Sequence, residues 1–212
     1  MPMKLWIKTH KIIKWLFPKY IWDIPNTQNK VFLTFDDGPI PEVTEFVLSE
    51  LEKYQAKATF FCIGDNIKKN PEIFKKVVAG KHAIGNHTFN HLKGWETENA
   101  VYVNNVDLCK QQLGQHQIKT HLLRPPYGKI KRSQAKILRN LGYKIIMWDV
   151  ISADFDATVT PEECLKNVLS NVRSGSIIVF HDSVKAFPNM KYALPETLKF
   201  LSEKGYQCEV LA

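Results

Sequence analysis

An α/β fold, with a parallel sheet covered by helices, is predicted by three features of this 212-residue chain. From residue 31 onward, short runs of β-branched and aromatic residues alternate with segments of helical periodicity. Seven such runs occur, at 31–35, 58–63, 82–85, 121–123, 143–148, 176–180 and 206–211. The segments between them carry helix start and stop signals, so each pair of strands is joined by a crossover helix and must run parallel. The pattern leaves two arrangements open, an incomplete (β/α) barrel and an open α/β sheet.

The elements follow in order. The run VFLTF predicts the first strand, which ends on two adjacent carboxylates, Asp36 and Asp37, and the breaker Gly38-Pro39. Pro41 opens a helix whose Val43, Phe46, Val47, Leu51 and Tyr54 share a face. Asn70-Pro71 reads as an N-cap with proline at the first helical position; Phe74, Val77 and Val78 point inward and Gly80 stops the helix. A weakly patterned helix is expected from about 96 to 115. Thr160-Pro161-Glu162-Glu163 reads as a capping box ahead of Leu165, Val168, Leu169 and Val172. Gly142 and Gly205 close the helices that precede them. No linker, repeat or low-complexity stretch interrupts residues 30–212, which form one domain.

Bulk composition narrows the class. Hydrophobic residues make up 44% and charged residues 24%, which excludes a disordered chain. The net charge of +8 favours anionic surfaces or substrates. Its lysines are dispersed, so nucleic-acid binding is not expected, and no protein partner is evident. Cys62, Cys109, Cys164 and Cys208 are far apart with no Cys-x-x-Cys, which reads as buried free thiols.

Residues 1–29 form a basic, aromatic segment in which Lys4, Lys8, Lys11, Lys14 and Lys19 alternate with Trp6, Trp15, Phe17, Trp22 and several isoleucines. No apolar run in it exceeds three residues, so neither a spanning helix nor a cleavable signal peptide is predicted. The expected location is cytoplasmic. The segment is expected to pack on the domain and close one end of it; peripheral contact with an anionic membrane is the alternative.

The chemistry-bearing residues fall in one kind of place. Asp36 and Asp37 end the first strand, and His87 and His91 follow the third in GNHTFNH. Arg124 follows the fourth in LLRPPYG, Asp149 and Asp154 follow the fifth, and His181 ends the sixth. All lie at carboxyl ends of strands, the face on which parallel α/β folds build active sites. Two imidazoles four residues apart, with one carboxylate, make a three-ligand site that leaves a metal an open position.

The motifs TFDDG, HTFNH, RPPYG and FHD, in this order, resemble those of the polysaccharide deacetylase family, the NodB homology domain of carbohydrate esterase family 4. The resemblance spans roughly residues 30–210 and implies a distorted (β/α) barrel with seven parallel strands. It implies metal-dependent hydrolysis of the N-acetyl amide of an N-acetylated sugar, polymeric or oligomeric, with release of acetate. The implied roles are Asp36 as general base, Arg124 as its partner, and Asp37, His87 and His91 as ligands of a divalent metal. That metal is expected to be Zn2+, with Co2+ or another divalent ion as the alternative. The Tyr127 N–H would steady the oxyanion and His181 would be the general acid. Pro125, Trp148, Phe155 and Val179 would line the substrate site. Trp95 is a candidate for stacking on sugar, or a rim packing residue.

Two departures accompany the resemblance. The family's Asp-x-x-Asp-Trp becomes Ile151-Ser152-Ala153-Asp154-Phe155, and Leu-x-His becomes Val179-Phe180-His181. The first carboxylate of that motif, taken to steady the histidine, is therefore Ile151. Asp149 or Asp154 is expected to take its place, with Asp149 preferred. The altered pocket keeps open deformylation or deacylation of a lipid-linked sugar, and a catalytically weak carbohydrate-binding domain remains a reading from another class.

Overall fold

Strand β1 (Lys30–Asp37) is buried along all but its two ends, so both of its faces and both of its edges need cover. The computed structural model describes residues 6–212, and Lys4 lies outside the described residues. The edges of β1 are taken by β2 (Ala58–Cys62) and β7 (Ile177–His181), both parallel to it. Outward from β2 lie β3 (Ala83–Asn86), β4 (Leu122–Leu123) and β5 (Lys144–Ile145); beyond β7 lies β6 (Val150–Ile151). The sheet order is β5-β4-β3-β2-β1-β7-β6, all parallel, with β8 (Gln207–Cys208) added beside the start of β1. Seven parallel strands thus curl into a distorted barrel.

Alternation along β1 divides its side chains between two environments. Val31, Leu33 and Phe35 join Phe60 and Phe180 in the larger core. Helices α2 (Val43–Lys53) and α8 (Phe187–Glu203) cover that core through Val47, Leu51, Met190 and Leu194. Phe32 points the other way, into an inner core with Phe61, Leu122, Ile146, Ile177 and Leu211. Thr34 and Asp36 share that inner face, so β1 delivers a carboxylate into the barrel at its carboxyl end.

Several local expectations hold in detail. Thr160 accepts from Glu163 N–H and the Glu163 side chain accepts from Thr160 N–H, starting α7 (Pro161–Leu169). Pro71 opens α4 (Pro71–Ala79), but Asn70 does not cap it; its amide donates to Pro39 O at 3.0 Å instead. The remaining helices are α1 (Lys11–Leu16), α3 (Gly64–Lys69), α5 (Asn99–Gln115) and α6 (Arg132–Asn140). Cys62, Cys109 and Cys164 are buried free thiols, and Cys208 is a half-buried one.

The strand expected at 143–148 is cut short to β5, and a second short strand, β6, follows beyond that range at the opposite edge of the sheet. The cause is a competing partner for the residues between them. Ile21 N–H donates to Ile145 O and Ile21 O accepts from Met147 N–H, while Thr9 N–H donates to Asp149 O. Ile151 N–H in turn donates to Ile7 O. Residues 7–24 therefore run through the seam where the curled sheet would otherwise leave two open edges. Buried Asp149 anchors them, accepting from Lys8 Nζ at 2.6 Å, from Lys14 Nζ, and from Ser176 Oγ at 2.6 Å.

Candidate active site

Asp36 and Asp37 are neighbours with opposite surroundings. Asp36 is buried and meets the fully buried Arg124, whose Nη1 donates to its Oδ1 at 2.7 Å and to Thr34 Oγ1 at 2.7 Å. The Nη2 of Arg124 donates to Met147 O at 3.0 Å, and its guanidinium lies 4.2 Å from the centre of the Phe61 ring. Three of its contacts are thus fixed before any substrate arrives, and the carboxylate is fixed with them.

Asp37 faces the two histidines. Its Oδ1 is 3.2 Å from His91 Nε2 and 3.7 Å from His87 Nε2. That oxygen is buried and makes no hydrogen bond. One ligating atom from each of Asp37, His87 and His91 lies within 4.8 Å of the others. Two ring nitrogens and a carboxylate oxygen, converging with an orphaned acceptor among them, fit a divalent metal. His87 is prepared for that role. Its Nδ1 lies 2.8 Å from Arg124 O, which can only accept, so Nδ1 carries the proton and Nε2 offers its lone pair. Burial pushes the His87 ring down to about 4, keeping it neutral. Burial opposes the charge on Asp37, but His91, His181 and His87 together hold its carboxyl below the ordinary range.

His181 stands beside β1, paired in register with Asp36. Its Nδ1 is 2.8 Å from Asp154 Oδ1, and its main-chain N–H donates to Asp154 Oδ2 at 2.7 Å. Burial alone would lower the ring's pKa, yet the Asp154 carboxylate, joined by those of Asp37 and Asp36, outweighs it and raises His181 to about 9. The preference for Asp149 as the partner of His181 is therefore corrected. Asp149 lies in the seam with Lys8 and Lys14, because β6 begins only after it and the 146–149 stretch pairs with the N-terminal segment. Ile151 supplies apolar wall in place of a carboxylate.

A cavity of about 490 Å³ opens onto these groups, lined by Asp36, Asp37, both histidines, His181, and the side chains of Pro125, Trp148, Ile151, Phe155 and Val179. Phe155 meets His181 edge-on, 4.9 Å between ring centres. Tyr127 also lines the cavity, in a left-handed backbone conformation (φ 59°), and its N–H takes no hydrogen bond among the described residues. Asp37 (φ 86°), Thr88 (φ 63°) and His91 (φ 56°) share that unusual conformation. Four such non-glycine residues around one cluster mark strain held by the surrounding fold, of order 1–3 kcal/mol each. Gly38 is required for a different reason: a Cβ there would sit 1.9 Å from Asp182 Oδ2.

Two candidates do not line the cavity: Arg124, which is fully buried behind Asp36, and Trp95. Trp95 is 59% exposed on the 3-10 turn Gly94–Glu96, its Nε1 donating to Ile130 O at 3.1 Å. Three lining residues escaped sequence reasoning: Lys129, Ser183 and Lys185. A signal existed, since each lies within a few residues of a motif already placed at a strand's carboxyl end.

Fold and site together define a parallel α/β barrel with a two-histidine, one-carboxylate cluster at its carboxyl rim, flanked by Asp36–Arg124 and His181–Asp154. A family model described as polysaccharide deacetylase matches residues 23–146. A peptidoglycan-N-acetylglucosamine deacetylase of Bacillus cereus is 35% identical over 188 residues, covering 88% of this chain and 88% of the relative. A chitooligosaccharide deacetylase of Azorhizobium caulinodans is 35% identical over 162 residues, covering 75% of this chain and 76% of its own. A crystal structure of a peptidoglycan N-acetylglucosamine deacetylase in complex with 4-naphthalen-1-yl-N-oxidanyl-benzamide is 31% identical with a TM-score of 0.87, over 93% of this chain and 94% of that one. The chain belongs to the polysaccharide deacetylase family.

Proposed function

We propose that this protein hydrolyses the N-acetyl amide of an N-acetylated glycan, releasing acetate and leaving a free amine. The carrying observation is the three-ligand cluster set between a carboxylate held by arginine and an imidazole held by carboxylate. The similarity to peptidoglycan and chitooligosaccharide deacetylases supports the same substrate class. Zn2+ is the proposed metal, because two imidazole nitrogens and one carboxylate oxygen are donors it takes at open catalytic sites. When bound, such a cation supplies Lewis acidity, lowering the pKa of water and drawing charge from a carbonyl.

In this reading Asp36 accepts the proton that the attacking water gives up. Arg124 holds the Asp36 carboxylate in position. The Tyr127 N–H donates to the amide oxygen as charge develops there. His181, protonated on both nitrogens, gives a proton to the departing amine, which is otherwise a poor leaving group. Trp148, Ile151, Phe155 and Val179 form an apolar wall for the acyl group. A panel of chito-oligomers, peptidoglycan fragments and lipid-linked sugars, assayed for acetate and formate, tests the reading. Acetate from at least one glycan supports it, and formate alone redirects it to deformylation.

The acid role fixes a pH signature. A general acid must be protonated, so kcat/KM should fall as pH rises through the His181 pKa, near 9. Asp154→Asn removes the strongest of the charges that oppose burial, so the basic limb should move to lower pH. Asp149→Asn should leave it where it was, since that carboxylate faces Lys8 and Lys14. The pH profiles of the three proteins check this, and a limb unmoved by Asp154→Asn contradicts the acid assignment.

The N-terminal segment carries a second proposal, peripheral attachment to an anionic membrane surface. Trp6, Ile12, Trp15 and Leu16 are exposed beside exposed Lys11 and Lys19, with Trp15 at 77%. No helix among the described residues is long and apolar enough to cross a membrane. Co-sedimentation with vesicles containing anionic lipid, lost in Trp15→Ala/Leu16→Ala and weak on neutral vesicles, is the expected result. Equal sedimentation with both vesicle types would contradict it.

A further inference from the structure

Two cations line the cavity that the hydrolytic scheme leaves without a task. Lys129 follows the 3-10 turn Pro126–Gly128, and Lys185 lies four residues beyond His181. They come from loops after different strands, β4 and β7, so the cavity holds a charge contributed from each side. Every carboxylate near them already has an occupation. Asp36 meets Arg124, Asp154 meets His181, Asp37 belongs to the histidine cluster, and Asp156, the carboxylate that feels Lys185, accepts from the N–H and Oγ1 of Thr158. Neither lysine forms an ion pair among the described residues, whereas neighbouring Lys93 is paired with Glu96 at 3.4 Å.

Each of the two is instead held over an aromatic ring. Lys129 Nζ lies 5.5 Å from the centre of Trp95, and Lys185 Nζ lies 5.9 Å from the centre of Phe155. Those contacts restrain the ammonium groups without neutralising them. The Lys129–Trp95 contact also continues the cavity outward to an exposed indole, a surface on which a further sugar ring can rest. A cationic rim of this kind gains no Coulomb attraction from a neutral glycan. It attracts one that carries negative charge beside the reacting sugar.

We propose that Lys129 and Lys185 form an anion-binding pair that selects glycans bearing a carboxylate or phosphate on a sugar unit adjoining the N-acetylated one. The proposal rests on the deacetylase reading and specifies its substrate class. Both anions are met by the same ammonium chemistry. The pair acts on binding, so its signature is in KM rather than in kcat.

The test compares a glycan alternating N-acetylglucosamine with a carboxylated sugar against the same glycan after reduction of its carboxylates to alcohols. A neutral N-acetylglucosamine oligomer and a phosphorylated one complete the set. The carboxylated or the phosphorylated glycan should exceed its neutral counterpart by roughly tenfold in kcat/KM at low salt, through KM, with the gap shrinking at high ionic strength. Lys129→Gln/Lys185→Gln should bring that ratio to about one, and Lys129→Arg/Lys185→Arg should restore it. Which anion gives the larger ratio identifies its source. If the neutral oligomer is deacetylated and the wild-type ratios are already near one, the anion pair is overturned while the hydrolytic reading stands. If no glycan is deacetylated, the hydrolytic reading falls, and equilibrium binding of the same glycans to the zinc-loaded protein decides the pair. Charged glycans bound no tighter than neutral ones would overturn it.

Discussion

Alanine at His87 or His91 should strip the protein of its divalent cation and reduce deacetylation to the level of chelated protein. The loss should exceed about a hundredfold, the upper range seen when only an outer partner of a metal ligand is removed. Each histidine supplies one of three converging donors, and two donors do not hold a cation against water in an open site. His87 is the more sensitive position. It is nearly fully buried and ties the cluster to Arg124 O, so its loss also loosens the strand end that carries the arginine. Metal content by elemental analysis, beside acetate release, checks both variants. Stoichiometric metal with full activity in either would remove that residue from the ligand set.

Asp36→Asn should separate the two neighbouring carboxylates. Turnover should fall by roughly 10²–10⁴-fold, the contribution of a positioned general base, while the metal stays bound. The asparagine oxygen still accepts from Arg124, but the buried guanidinium loses its counter-charge, a loss that costs about 3–5 kcal/mol in a buried pair. Thermal unfolding must therefore be followed alongside activity, with rates measured well below the lowered midpoint. Asp37→Asn should lose metal and activity together, because its orphaned Oδ1 is the oxygen facing both imidazoles. Equal metal loss in the two variants would contradict the division of labour between them.

How far the sequence alone reaches can be judged residue by residue. The run VFLTF with its following carboxylates foretold a strand whose carboxyl end carries Asp36 and Asp37, and β1 (Lys30–Asp37) does this. The four-residue spacing of His87 and His91 foretold a shared side, which the turn after β3 provides. Apolar periodicity records burial, and burial is what organises strands and helices of this kind. The misreadings arose where main-chain partners, which leave no periodic trace, decided the structure. Residues 143–148 look like one strand, yet Ile21 and Thr9 claim main-chain groups of Ile145, Met147 and Asp149, so β5 stops at Ile145 and the next strand starts only at Val150. The same pairing with the N-terminal segment carries Asp149 to Lys8 and Lys14, where no local pattern would put it. Asp154 reaches His181 from an irregular loop, and loop geometry is poorly encoded in composition. Lys129 and Lys185 leave no such trace, because isolated lysines on a basic chain look like solvated surface.

The most direct test of the account is acetate release from N-acetylglucosamine oligomers by protein freed of metal and then titrated with Zn2+. Activity should be absent after chelation and return in proportion to added zinc, reaching its plateau at one ion per chain, with acetate and free amine produced in equal amounts. Undiminished acetate release by the chelated protein, or a zinc-loaded protein that releases none from any N-acetylated glycan, would contradict it.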